Sequence, residues 1–237
     1  MLRLRTFGGL TLASGDAPLT GAATQRRRLA ILALLAVARD RGVSRDKLVA
    51  YLWPESGAER ARHVLNQLVY AQRKHFGTQS LFTGRKSLRL NAEVIWTDVG
   101  VFEAALDRED AEAAVALYAG PFLDGFFLRD AREFERWVES QRQRLARRCG
   151  GALVALARGA AARGDRRAAT QWWGRALEHD PLDSDIAAGA VDALTALGDR
   201  PGALRAARVH EAALRDHLGL DLSPDLQHAV QRLQSGD

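Results

Sequence analysis

The first residues alternate in character. Leu2 and Leu4 stand between Arg3 and Arg5, Gly8-Gly9 interrupts, and a second apolar stretch over 10–13 runs into Ser14-Gly15-Asp16. Period two punctuated by turn residues predicts strands, so the chain opens on a small antiparallel sheet. From Thr24 the period lengthens: Leu29, Leu32, Ala33, Ala36 and Val37 recur at three and four residues up to Arg41-Gly42, which predicts a helix with Thr24 as its N-cap. Ser44 heads a second helical unit of about two turns, with Leu48, Val49 and Leu52 apolar and Pro54 just beyond its end.

A third helix is predicted over 58–76, closed by Gly77. At about 100° per residue, Ala61, Leu65, Leu68, Val69 and Phe76 share one face. The arc about 80° to 200° from Leu65 carries Arg73, Asn66, Tyr70, His63, Lys74 and Gln67, with Arg62 at its edge. These side chains supply guanidinium forks, carboxamides, an imidazole and a phenol, the groups that read base edges and grip phosphates. None of these seven is acidic, whereas a merely solvated face intersperses Asp and Glu with Arg and Lys. The arc therefore points to nucleic acid.

Residues 81–90 return to period two, with Leu88 and Leu90 on one side, Arg89 on the other, and Gly84-Arg85-Lys86 at the turn. Sheet, three helices and a hairpin with a cationic tip is the element order of a winged helix-turn-helix, whose third helix enters the major groove while the wing reaches an adjacent groove or the backbone. Gly84-Arg85-Lys86-Ser87 does not meet the spacing of a phosphate-binding loop, in which Lys directly follows the second glycine.

From Trp96 onward the pattern is helical throughout: 98–106, 111–118, and a long segment from 131 to about 163 with Phe134, Trp137, Val138, Leu145 and Leu153 at apolar positions. Gly164-Asp165-Arg166 and Gly198-Asp199-Arg200 stand thirty-four residues apart, the period of tetratricopeptide (TPR) helix pairs, which stack because no single pair buries its apolar face. A weaker copy begins at Asp110. Trp172, Trp173 and Leu177 read as core between helices, the default for large aromatics at helical spacing.

Charge sharpens this division. The 237 residues carry a net +5, but residues 1–90 hold sixteen Lys/Arg against five Asp/Glu, +11, and the remainder is −6. Two domains follow, a basic one over 1–92 and an acidic one over 97–237, and the basic one calls for a polyanion. Arg26, Arg27 and Arg28 at the first helix are further candidates for phosphate contact. The longest apolar run, 29–38, covers ten residues where a membrane-spanning helix needs about 20, and no signal-peptide pattern follows Met1, so a cytoplasmic, nucleoid-associated protein is expected.

Candidate chemistry is sparse. Cys149 is the lone cysteine and reads as structural. The six histidines are scattered; His210 and His217 share a helix face but have no third ligand in register. No catalytic residue, cofactor or metal is assigned, and an enzyme is not expected.

Taken in order, Leu2-Arg-Leu-Arg-Thr-Phe-Gly-Gly9, Val43-Ser-Arg-Asp-Lys-Leu-Val49 with Leu52-Trp53-Pro54, and Leu65, Val69, Arg73 and Phe76-Gly77 carry a resemblance. It continues through Leu117-Tyr-Ala-Gly-Pro-Phe-Leu-Asp-Gly125, Trp137-Val-Glu-Ser-Gln-Arg142, His179-Asp-Pro-Leu182 and Leu214-Arg-Asp-His-Leu-Gly219. Over nearly its whole length the chain resembles bacterial transcriptional activators of the antibiotic-regulatory-protein (SARP) type. These join a response-regulator-like winged helix to a bacterial transcriptional activator domain (BTAD) of TPR-like helices. The resemblance implies binding to direct repeats in promoter DNA, often as a homodimer, and recruitment of RNA polymerase, with the 53–57 connection as a candidate polymerase contact. It also makes 58–76 the recognition helix and 81–90 the wing. The chain departs from the family at Ala71 and Gln72 and at Thr83-Gly84-Arg85 of the wing.

The expectation is a mainly α protein with a small β component: an N-terminal winged helix-turn-helix followed by an all-α helical-repeat domain. Its expected function is sequence-specific transcriptional regulation, as an activator that binds promoter DNA through the winged helix and recruits RNA polymerase. The alternative, from a different class, is a TPR-like protein-protein adaptor whose winged helix does not read DNA. An adaptor has no need to keep Asp and Glu out of those seven positions of the third helix.

Overall fold

A computed structural model describes residues 1–15, 17–75 and 81–235, without the side chains of 22, 23 and 72–75. It divides into two compact units, Met1–Ala146 and Arg147–Asp237. The sequence reading begins a second domain at 97; compactness instead groups everything up to Ala146 with the opening sheet.

In the first unit, β1 (Leu2–Arg5) pairs antiparallel with β2 (Thr11–Ser14), and β3 (Ala17–Pro18) extends the sheet. Leu4 and Leu12, opposite one another, are buried, while Arg3 and Arg5 face out, as the alternation predicts. Helix α1 (Arg26–Ala38) follows. Thr24 does not cap it: it belongs to a 3-10 turn, Gly21–Thr24, and its hydroxyl donates to Gly21 O at 3.1 Å. The N-cap position is Gln25, whose carbonyl accepts from Arg28 N and Leu29 N. Every residue from Leu29 to Val37 is buried, so α1 is a central helix covered on all sides and not an amphipathic one.

After a 3-10 turn (Arg39–Arg41), Gly42 adopts φ +63, and a Cβ there would stand 2.6 Å from Leu88 O. Glycine alone lets β4 (Val43–Ser44) lie against β6 (Ser87–Leu90). Helix α2 (Arg45–Leu52) is capped by Ser44, whose hydroxyl accepts from Lys47 N at 3.2 Å. Helix α3 (Ala58–His75) follows; Phe76 and Gly77 lie outside the described residues. Strands β5 (Phe82–Thr83) and β6 form the expected hairpin, in a second sheet of order β4-β6-β5.

The chain then returns to the first sheet. β7 (Ile95–Thr97) runs parallel to β1, Leu2 opposite Ile95 and Leu4 opposite Thr97, giving the order β3-β2-β1-β7. Asp98 opens α4 (Asp98–Asp107) and is 4% exposed. Its Oδ2 accepts from Thr6 N (2.7 Å) and Phe7 N (3.0 Å), and its Oδ1 from the Thr6 hydroxyl (2.6 Å) and its own neighbour Val99 N (2.7 Å). A buried carboxylate thus clamps the end of β1 to a helix N-terminus, where negative charge is favoured. Helix α5 (Ala111–Leu117) is capped by Asp110, and α6 (Arg132–Ala162) brings Trp137 against Phe122, Phe134 and Tyr51.

The second unit stacks α7 (Arg166–His179), α8 (Ser184–Leu197), α9 (Arg200–Leu218) and α10 (Pro224–Ser235) in succession, after the rest of α6. The thirty-four-residue repeat is a repeat of caps: Asp165 accepts from Ala168 N at 3.0 Å, and Asp199 from Gly202 N at 2.8 Å. Trp173 and Leu177 are buried, and the Trp173 ring lies directly over Gly189 of α8. His210 is fully buried, with Nδ1 2.7 Å from Pro181 O and Nε2 3.1 Å from the Ser184 hydroxyl. Cys149 is buried as well, which pushes its thiol up to about 11 against the opposing pull of Arg175.

Candidate nucleic-acid interface

Helix α3 has the two faces its sequence predicts. Ala61, Leu65 and Val69 are buried, whereas Arg62, His63, Asn66, Gln67 and Tyr70 are exposed in an unbroken strip, with the exposed acid Glu59 one turn before them on the same arc. Tyr70 is 69% exposed, a large aromatic ring left in solvent among polar neighbours. Gln67 Nε2 lies 2.8 Å from His63 Nε2, one turn away, so the amide donates to the ring nitrogen. The side chains of Arg73 and Lys74, which continue the strip in sequence, lie outside the described residues.

Two consecutive residues of α2 hold the strip in register with the hairpin. A single oxygen of Asp46, Oδ1, accepts from Arg62 Nε at 3.0 Å and lies 2.9 Å from its Nη2, an exposed ion pair. Arg45 donates to Arg85 O at the hairpin tip. At that tip Gly84 has φ +85, and a Cβ would collide with Ser87 O, so the turn that presents Arg85 and Lys86 demands glycine. Arg85, Lys86 and Arg89 are all exposed. One short helix thereby contacts both the exposed strip of α3, at Arg62, and the tip of the hairpin, at Arg85.

Arg26 and Arg27 point elsewhere. Arg26 donates to Phe127 O at 2.8 Å and lies over the rings of Phe126 and Phe127; Arg27 donates to Leu52 O at 3.2 Å and lies over Trp53. Both line a groove with Val64 and Leu68, on the flank of α3 turned away from Asn66. Arg28 is half-buried. The Asp46 contact to Arg62 is what sequence reasoning missed, because a pairing across sixteen positions between two helices leaves no periodic signal.

The bacterial transcriptional activator domain model matches residues 98–234. Among solved structures, "Mycobacterium tuberculosis EmbR in complex with low affinity phosphopeptide" superposes on 100% of this chain with a TM-score of 0.69 and 24% identity; the match spans 65% of that chain, and it establishes a shared fold. No curated protein matches the sequence. No described helix is long and apolar enough to cross a membrane. The chain belongs to the bacterial transcriptional activator domain family.

Proposed function

We propose that the chain is a sequence-specific, double-stranded-DNA-binding activator. The observation that carries this reading is the exposed strip of Arg62, His63, Asn66, Gln67 and Tyr70 on α3, tied through Arg62 to Asp46 and neighboured by a cationic hairpin whose tip Arg45 contacts. In this reading residues 1–92 act as a winged helix-turn-helix. Arg62, His63, Asn66, Gln67, Tyr70, Arg73 and Lys74 face the major groove and its phosphates, and Arg85, Lys86 and Arg89 hold the adjacent groove or backbone. Arg28 is a further phosphate candidate, while Arg26 and Arg27 have carbonyl and ring partners to leave before they can serve as such. Residues 97–237 act as the TPR-like activator domain, through which a homodimer on direct repeats recruits RNA polymerase in the cytoplasm.

Fluorescence anisotropy of the protein with promoter fragments and a scrambled duplex, from about 50 to 200 mM salt, tests the reading. Salt-sensitive binding that prefers some fragments by about 10³ or more is expected. Failure to bind any duplex at low salt overturns it in favour of an adaptor.

A further inference from the structure

The two arginines that turn away from the DNA-facing strip build something of their own. Between the start of α1, the flank of α3 and residues 127–130 lies a groove of about 730 Å³, within the size range of small-molecule sites. Trp53, Phe127, Val64, Leu68 and Leu128 supply its apolar surface, and Arg26, Arg27 and Arg129 its cations. Asp130 is the carboxylate among the lining residues. None of the three guanidiniums forms an ion pair among the described residues. Arg26 and Arg27 have carbonyl oxygens and ring faces as partners, contacts that fix their position and leave their charge unneutralised. Phe127 is 56% exposed, an aromatic wall with no packing partner over much of its surface.

Cations pre-positioned against aromatic rings, with one acid among three bases, select a ligand with a flat apolar body and a single negative charge. We propose that this groove is a binding site for a small aromatic carboxylate. Its ring system lies against Trp53, Phe127 and Leu68, and its carboxylate meets the guanidinium of Arg129, whose forked donors match two carboxylate oxygens, beside the charge of Arg26, which keeps its bond to Phe127 O. The occupant rests on Val64 and Leu68 of α3, so it bears on the helix assigned to the major groove. The binding itself is independent of that assignment.

The test uses the full chain without DNA, titrated calorimetrically with 2-naphthoate and with 2-naphthamide, which share a ring system and differ in charge. The carboxylate is expected to bind about tenfold more tightly or better, the scale of a hydrogen bond to a charged group. Arg129→Gln, at an exposed position, should remove most of that preference and leave the amide unchanged, and Phe127→Ala should weaken both compounds together. Equal affinity for the two compounds, no heat from either, or a preference that Arg129→Gln leaves intact overturns the proposal. A chain that ignores DNA yet prefers the carboxylate retains this site and loses only the DNA reading.

Discussion

Asp98→Ala is the most demanding test of the first unit. The substitution leaves three backbone amides, Thr6 N, Phe7 N and Val99 N, and the Thr6 hydroxyl without their acceptor, in a place where Asp98 is 4% and Thr6 0% exposed. Each orphaned buried donor costs about 1–3 kcal/mol, and the hydroxyl escapes by rotating, so the three amides together cost about 4 kcal/mol once some water enters. That is a large share of the 5–15 kcal/mol that holds a typical domain. Asp98→Asn keeps the shape but offers one acceptor oxygen. Its NH₂ then faces either the Thr6 and Phe7 amides or the Val99 amide, donor against donor, at about 2–3 kcal/mol. Urea unfolding followed by tryptophan fluorescence reads both. With a slope of about 2 kcal/mol/M, the alanine variant shifts the midpoint of the first unit down by about 2 M and the asparagine variant by about 1 M. An alanine shift below about 0.5 M, or an asparagine variant that unfolds with the wild type, refutes the view that this carboxylate clamps β1 to α4.

Other outcomes follow from the same structure. Asn66→Ala should weaken specific DNA binding by about 1–3 kcal/mol and relax preference at one base pair, whereas Lys86→Ala should weaken all sequences alike and reduce the salt slope by about one; identical effects of both on specific and random duplexes sink the assignment of roles. At pH 8, Cys149 with its thiol raised to about 11 should react with iodoacetamide about 200-fold more slowly than in the unfolded chain, on thiolate fraction alone. The native thiol keeps its proton between about pH 8.5 and 11 while the unfolded one loses it, so stability should fall with rising pH in that window, and Cys149→Ala should flatten the fall. Gly189→Ala puts a Cβ 2.6 Å from the Trp173 ring; the overpacking costs about 1–3 kcal/mol against about 1 kcal/mol of helix propensity gained. A melting temperature that rises in that variant contradicts the close α7–α8 approach.

What could be read beforehand was local. The buried and exposed faces of α3, the helix start at Ser44 and the hairpin over 81–90 each depend on residues a few positions apart, and each is where the pattern puts it. Thr24 failed as a cap because a 3-10 turn claimed its hydroxyl, a competition between two local structures that the spacing of Leu29 and Leu32 does not register. The all-round burial of α1 depends on what surrounds it, which no periodicity within 26–38 records. The same holds at the candidate interface. Asp46 reaches Arg62 across sixteen positions, and Arg26 reaches Phe127 O across a hundred and one, so cations that look alike in sequence part company in space.

The parallel pairing of β1 with β7 has a consequence for how the molecule is made. Leu2 leaves the ribosome more than ninety residues ahead of Ile95, its partner. At about 5–20 residues per second, the first strand waits about 5–20 s with one edge bare, and its nearest protection in that interval is the hairpin to β2. A nascent chain paused before β7, or a fragment cut at residue 92, presents that bare edge for as long as it exists. Translation speed across the whole stretch between β1 and β7 therefore sets how long the first strand stays open to pairing with another chain.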